Sequence, residues 1–443
     1  MSSVQPSSTS TLTKQLFTMT WPMLFGVLSL MSFQLVDSAF IGQLGVLPLA
    51  VQGFTLPLQM VVIGMQVGLG IATTAVIARA LGANQRRYAN QLASLVLVIG
   101  STGVAIFGLV LWLLRNVILS LLGAPETIMP IIDSYWPWWI LSAWVGAVLY
   151  FYYSICRANG NTMLPGTMMM VTSAINMLLD PLFIFTFDLG INGAAIATAV
   201  AFGTGILIVA PRVQKNHWCH FQWQDLNIMS SIRALGNIMG PAMVSQLLPP
   251  LSSMLATKLI SGFGTAAVAS WALGSRYEFF AIVSVLALTM SMPPMIGRLL
   301  GAKNYRDIQS LVSIAIKFVL GFQLFIAIIS YFAATPLSLL MTADLKVEQV
   351  LEMHLTIVPI SLGSLGVCML MVSVCNALCQ PYNALIISAL RLFVFFLPCL
   401  WLGALISGIQ GLLIGASIGN MLAGLSAYLI YRSTINKLIH TNT

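Results

Sequence analysis

Arg79-Ala-Leu-Gly-Ala83 and Arg298-Leu-Leu-Gly-Ala302 are one phrase written twice, 219 residues apart. The same offset carries Pro22 onto Pro241, Gly45 onto Gly264 and Ala50 onto Ala269, and lays Leu121-Leu-Gly-Ala-Pro125 over Leu340-Met-Thr-Ala-Asp344. After one deletion, Gly190-Ile-Asn-Gly193 meets Gly408-Ile-Gln-Gly411 at an offset of 218. Chance does not hold one register over most of a chain, so the sequence reads as two homologous halves.

Composition says what fills them. Of 443 residues, 58% are hydrophobic and 7% charged, against roughly 25% charged in ordinary globular proteins. Mean hydropathy is +0.94. No water-exposed surface can be built from this, which excludes a soluble enzyme, a disordered chain and a coiled coil. Apolar runs of about 20 residues, long enough to cross the hydrocarbon core, recur near 15–43, 49–78, 88–113, 128–155, 161–187, 190–212, 233–260, 266–297, 308–334, 350–377, 382–404 and 408–432. Six spans per half is an even number, so both halves insert with the same orientation, as parallel repeats do. The expected fold is an all-α membrane protein whose twelve transmembrane helices form two six-helix bundles around a central cleft. Residues 1–13 read as a disordered tail, 14–213 as the first lobe, 214–232 as a linker and 233–434 as the second lobe. Such an architecture suits a transporter with substrate between the lobes; duplication for stability alone is the competing reading. No cleavable signal peptide is recognisable, so the first span is expected to stay.

The net charge of +8 reports orientation. With both termini in the cytoplasm, Lys14, Arg79, Arg86, Arg87, Arg157, Arg212, Lys215, Arg233, Arg298, Lys303, Arg306, Arg432 and Lys437 fall inside, and only Arg115 and Lys346 outside. That asymmetry predicts a multi-pass protein of the inner (plasma) membrane with cytoplasmic termini, and a basic face that needs no nucleic acid. Cys156, Cys219, Cys368, Cys375, Cys379 and Cys399 show no disulfide or zinc spacing, and the four histidines are scattered. Tyr135-Trp-Pro-Trp-Trp139 reads most simply as an interfacial aromatic belt, with a cavity wall as the alternative. Met168–Met170 suits either an adaptable pocket or lipid-facing packing.

Charges at membrane depth are rare and costly, so they mark candidate sites. Asp37, Asp180 and Glu278 qualify. The repeat is an internal control: Asp37 corresponds to Ala256, Asp180 to Cys399 or Pro398, and Thr198 to Ala416. Asn176 stands one helical turn before Asp180, on the same face. The first half alone therefore carries the ionisable cluster. A carboxylate in an apolar pocket loses hydration, which lets it exchange a proton nearer neutral pH; the same oxygens, with Asn176 and Thr198, could instead hold Na⁺. Either ion could couple a gradient to a conformational change, whereas a purely structural role would be capping or cross-linking helices. Pro22 removes a hydrogen bond from span 1 about 22 Å along the helix from Asp37 and is a candidate hinge, although Pro241 recurs in the other half. Gln34, Tyr135, Arg276 and Glu278 are the candidate cavity residues. Glu278 could pair with Lys258 or Arg391, a structural ion pair being the first reading and substrate contact the second.

These residues resemble a family. The segment Val36-Asp37-x-x-Phe40-Ile-Gly42-x-Leu-Gly45, the repeated Arg-x-Leu-Gly-Ala, and Asn176-x-x-x-Asp180 followed by Gly190-x-x-Gly193-Ala-Ala resemble the multidrug and toxic compound extrusion (MATE) transporters along nearly the whole chain. Acids in spans 1 and 5 are similar to the DNA-damage-inducible F (DinF-like) branch. The resemblance implies a cation site at Asp37, Asn176, Asp180 and Thr198 with the Ala194 carbonyl, and a bend at Pro22. The other prokaryotic branch carries acids in spans 7 and 10; here span 7 offers Lys258, and Glu352 and His354 sit near the outer end of span 10. Glu278 matches neither pattern. The expected activity is antiport of cationic or amphipathic drugs or toxins against H⁺ or Na⁺, without a cofactor and without catalysis, by a monomer in the lipid bilayer. Export of a lipid or lipid-linked substrate is the alternative.

Overall fold

The computed structural model describes residues 9–224 and 226–442, which are helical nearly throughout and contain no strand. Helix α1 (Thr9–Gln43) begins inside the stretch expected to be a tail, so residues 9–13 are helical, and residues 1–8 lie outside the described ones. The first half continues with α2 (Val46–Gly82), α3 (Arg86–Leu113), the short α4 (Arg115–Leu121), α5 (Met129–Ala158), α6 (Met163–Pro181) and α7 (Gly190–Lys215). The second runs through α8 (Ile228–Ser261), α9 (Thr265–Ala281), α10 (Val283–Gly301), α11 (Tyr305–Met341), α12 (Leu345–Ile357), α13 (Leu362–Ala377), α14 (Pro381–Ala389) and α15 (Leu397–Asn442). All twelve expected spans are present: α9 with α10, and α12 with α13, each make one span, while α15 holds the end of span 11 and all of span 12. The chain packs as two compact units, Met19–Met243, and Met1–Thr18 with Val244–Thr443.

The repeat is visible in the backbone. Arg79-Ala-Leu-Gly-Ala and its copy are both helix ends, where Ala83 N–H bonds the Arg79 carbonyl and Ala302 N–H the Arg298 carbonyl, each at 3.0 Å. One residue on, Asn84 and Lys303 both adopt a left-handed backbone. Gly45 and Gly264, at φ 112° and 96°, open α2 and α9, a conformation that a Cβ would strain. Spans 11 and 12 form a hairpin at Ser407–Gly408. Its arms touch through backbone: a Cβ on Gly403 would lie 2.0 Å from the Gly411 carbonyl, and one on Gly415 2.1 Å from that of Cys399. Gly411-x-x-x-Gly415 is thus a small-residue seam that replaces the hydrophobic driving force missing between helices in lipid.

The halves diverge where α9 stops at Ala281 although α2 runs unbroken through the corresponding position. Buried Gln323 of α11 donates to the Ala281 carbonyl at 3.0 Å; its counterpart in the first half is Val104. Replacing it leaves a buried carbonyl without that donor, which costs about 1–3 kcal/mol. Gln323→Leu is accordingly expected to lower the thermal midpoint of the purified protein in detergent by several degrees, and an unchanged midpoint would contradict this role.

One other feature corrects the sequence reading. Trp136 and Trp139 are buried core residues, their rings 5.4 Å apart, and only Trp138 of that cluster is exposed. Burying both large rings inside the bundle outweighs placing them in an aromatic belt. The connection between α7 and α8 is fastened to α3. Asn90 Nδ2 donates to the His217 carbonyl (2.6 Å), Gln91 Nε2 to that of Gln222 (2.7 Å), and Trp223 Nε1 to Ser94 Oγ (3.0 Å).

Candidate functional site

Five helices of the Met19–Met243 unit converge around the two acids of the first half. Asn176 and Asp180, one turn apart on α6, are fully buried. The amide orientation that satisfies its neighbours lets Asn176 Nδ2 donate to Asp180 Oδ2 at 3.0 Å, while its oxygen faces the Thr198 hydroxyl at 3.1 Å and accepts from the Thr198 N–H at 3.2 Å. Thr198 Oγ1 also lies 2.9 Å from the Ala194 carbonyl. The one-turn spacings Asn176/Asp180 and Ala194/Thr198 make this possible, because each aligns two polar groups along one helix face.

Local sequence sets the shape. Pro181 cannot donate to the helical ladder, and the chain continues as a wide π-turn at Leu182–Thr186; such turns often mark functional sites. Helix α7 closes onto that turn at Gly193, where a Cβ would meet the Phe183 carbonyl carbon at 2.6 Å. Helix α1 is held over the pair by aromatic contacts on either side of Asp37: Phe33 with Phe202 (centroids 6.3 Å apart) and Phe40 with Phe185 (6.1 Å). Asp37 and Asp180 are close enough for their charges to interact. Tyr135 of α5 is buried against Thr55 of α2, within electrostatic reach of Asp37.

Asp37 Oδ1 and Asp180 Oδ1 are both buried without a hydrogen-bond partner. Leaving such acceptors unmet is costly unless a proton or cation reaches them. The carboxylates, the Asn176 amide oxygen, the Thr198 hydroxyl and the Ala194 carbonyl supply oxygens of the kind a hard cation takes, so the residues fit Na⁺ as well as H⁺. Among the described residues no group of three His, Cys, Asp or Glu side chains could hold a metal. Gln34 is exposed on α1, one turn before Asp37. Pro22 is buried where α1 meets α6: a Cβ on Gly166 would stand 2.4 Å from the Pro22 carbonyl oxygen.

In the second half the structure separates residues that the sequence grouped. Arg276 and Lys258 are exposed. Glu278 pairs instead with His354, Oε1 to Nε2 at 2.6 Å. The histidine is buried, edge-on to Trp271, and stacked where Gly274 leaves room for its ring. Arg391 lies within electrostatic reach of Glu278. Sequence reading put His354 near an outer helix end and in no site. Its partner is 76 residues away, and only the missing Cβ of Gly274, one turn before Glu278, hinted at a filled space.

Comparison with known proteins agrees with this arrangement. The MatE family matches residues 22–182 and again 241–416, two segments whose starts differ by the 219-residue offset of the repeat. The "FAD transporter" of Shewanella oneidensis is 30% identical over 423 residues, covering 93% of each chain. The "Multidrug export protein MepA" of Staphylococcus aureus is 24% identical over 419 residues, covering 92% of this chain and 91% of its own. The crystal structure of the Vibrio cholerae MATE transporter VcmN in the bent form superimposes with a TM-score of 0.96 at 70% identity, covering 97% of this chain and 98% of its own. With its duplicated six-span lobes, its buried acids and these relatives, the chain belongs to the MatE family and is an integral membrane transporter of the MATE type.

Proposed function

We propose that this transporter is a secondary antiporter that exports cationic or amphipathic organic compounds in exchange for H⁺ or Na⁺, of the DinF-like kind. The observation that carries the reading is the pair of buried carboxylate oxygens without partners, Asp37 Oδ1 and Asp180 Oδ1, confined to one of two homologous halves. Cation uptake at Asp37 removes a charge that the apolar surroundings solvate poorly. Asp180, Asn176 and Thr198 then re-pair, and α1 rearranges about Pro22 to expel the cargo. Cation release on the other side restores the starting state. Both termini lie in the cytoplasm, as the distribution of basic residues indicates, and the working unit is a monomer.

The cargo reading rests on the multidrug export relative MepA. The 30%-identical relative named for FAD transport favours a second reading, export of an anionic flavin dinucleotide through the same coupling site. Proteoliposomes loaded with protein and offered either ethidium or FAD, under an imposed pH or Na⁺ gradient, separate the two. Gradient-driven ethidium movement is the expected result; movement of FAD alone would replace the first reading with the second, and movement of neither would defeat both.

A further inference from the structure

Away from the acid cluster, in the unit formed largely by the second half, the first turns of α11 and the last turns of α15 flank a cleft of about 460 Å³. Its walls are regular. Gln309, Ser313 and Lys317 face it from α11, and Tyr428, Arg432 and Asn436 from α15, each set at the i, i+4, i+8 spacing of one helix face. Two cations therefore share a cleft lined by no acid. The nearby Asp307 is held by Asn304, whose Nδ2 donates to Oδ2 at 2.8 Å. Tyr431, which also lines the cleft, is 5% exposed, and its buried hydroxyl has no hydrogen-bond partner. Two positive side chains and an orphaned buried donor ask for an oxyanion.

What lies beyond the cations tells which oxyanion. On α11 the face of Lys317 continues through Leu320, Leu324 and Ile328, and on α15 that of Arg432 runs back through Leu429 and Leu425; all five are exposed apolar side chains on membrane-spanning helices. A cationic mouth opening onto two apolar tracks matches a molecule with an anionic head and hydrocarbon tails. We propose that this cleft binds the phosphate headgroup of an anionic phospholipid, with Lys317 and Arg432 on the phosphate oxygens, the Tyr431 hydroxyl donating to one of them, and the acyl chains along α11 and α15. Basic pockets between spanning helices are a recognised lipid-binding design. The site is separate from the coupling cluster and does not depend on what the transporter carries.

Native mass spectrometry of the full chain, equilibrated with phosphatidylglycerol or phosphatidylcholine, tests this. The expected result is phosphatidylglycerol retention about thirtyfold above phosphatidylcholine, as two basic contacts would supply. K317Q/R432Q should reduce that preference to near unity, while K317R/R432K and the remote K346Q should keep it. Tyr431→Phe removes only a hydroxyl and should weaken the preference severalfold; it decides the matter if the double variant does not fold. Equal retention of the two lipids by the unaltered protein, or an undiminished preference in both K317Q/R432Q and Tyr431→Phe, would overturn the proposal. So would displacement of the lipid by inorganic phosphate alone at about 10 mM, which would make the cleft a site for free phosphate.

Discussion

Asp37→Asn is expected to reduce gradient-driven export at least about tenfold while leaving expression and thermal stability close to those of the unaltered protein. The asymmetry follows from what the substitution changes. Asparagine has nearly the size of aspartate and can still pack between Phe33 and Phe40, whose contacts to Phe202 and Phe185 hold α1 in place. It cannot, however, alternate between a charged and a neutral form. If the transport cycle is driven by a cation entering and leaving this position, a permanently neutral side chain biases the protein toward one conformation and removes the differential affinity that drives the switch. Asp180→Asn should be less complete in transport and more damaging to the fold, because Asp180 Oδ2 accepts from Asn176 and an amide nitrogen there would face another donor. Resistance assays in cells, with protein level and detergent melting measured alongside, read both parts.

Gly166→Ala is expected to cost transport as heavily by a steric route. The new Cβ would sit 2.4 Å from the Pro22 carbonyl oxygen, 2.5 Å from its carbonyl carbon and 2.8 Å from the Pro22 Cβ. Two of those atoms are backbone, so no rotamer change relieves the overlap, and α1 must move away from α6 or bend further. On the other side of the crossing, a Cβ on Gly26 would meet the Gly166 carbonyl at 3.0 Å, so the two helices are in backbone contact over more than a turn. Overpacking of this kind typically costs about 1–3 kcal/mol. Since Asp37 rides on the same helix as Pro22, displacing α1 moves the acid relative to Asp180. The prediction is a loss of export about as large as that of Asp37→Asn, accompanied by a lower melting temperature, which Asp37→Asn should not show. Full export in Gly166→Ala would mean that the crossing tolerates separation.

Much of this was legible in the sequence, for physical reasons. The fold is written in the scarcity of charge and the spacing of apolar runs, since the bilayer admits only internally hydrogen-bonded helices or barrels. The pairs Asn176/Asp180 and Ala194/Thr198 are local: one turn of helix suffices to align them, and the duplication marks which polar residues have no counterpart. What sequence could not show is what depends on contacts between distant segments. Glu278 finds His354 across 76 residues, through space that Gly274 leaves open. Tyr135 joins Asp37 although it lies in a stretch that reads as an interfacial belt. The break after Ala281 carries no proline or glycine to announce it, and its repair comes from Gln323 on another helix. The cleft between α11 and α15 was invisible because its two cations lie far apart in the chain, at 317 and 432, and Arg432, read singly, only reports orientation.

The most direct test of the central claim is ion movement measured in proteoliposomes when an exported compound is added, with a pH-sensitive dye and a Na⁺-sensitive dye in parallel. The account predicts a compound-dependent flux of one of these cations opposite to the compound in the unaltered protein, and none in Asp37→Asn. Compound movement with no accompanying flux of either cation, or an undiminished flux in Asp37→Asn, would contradict it.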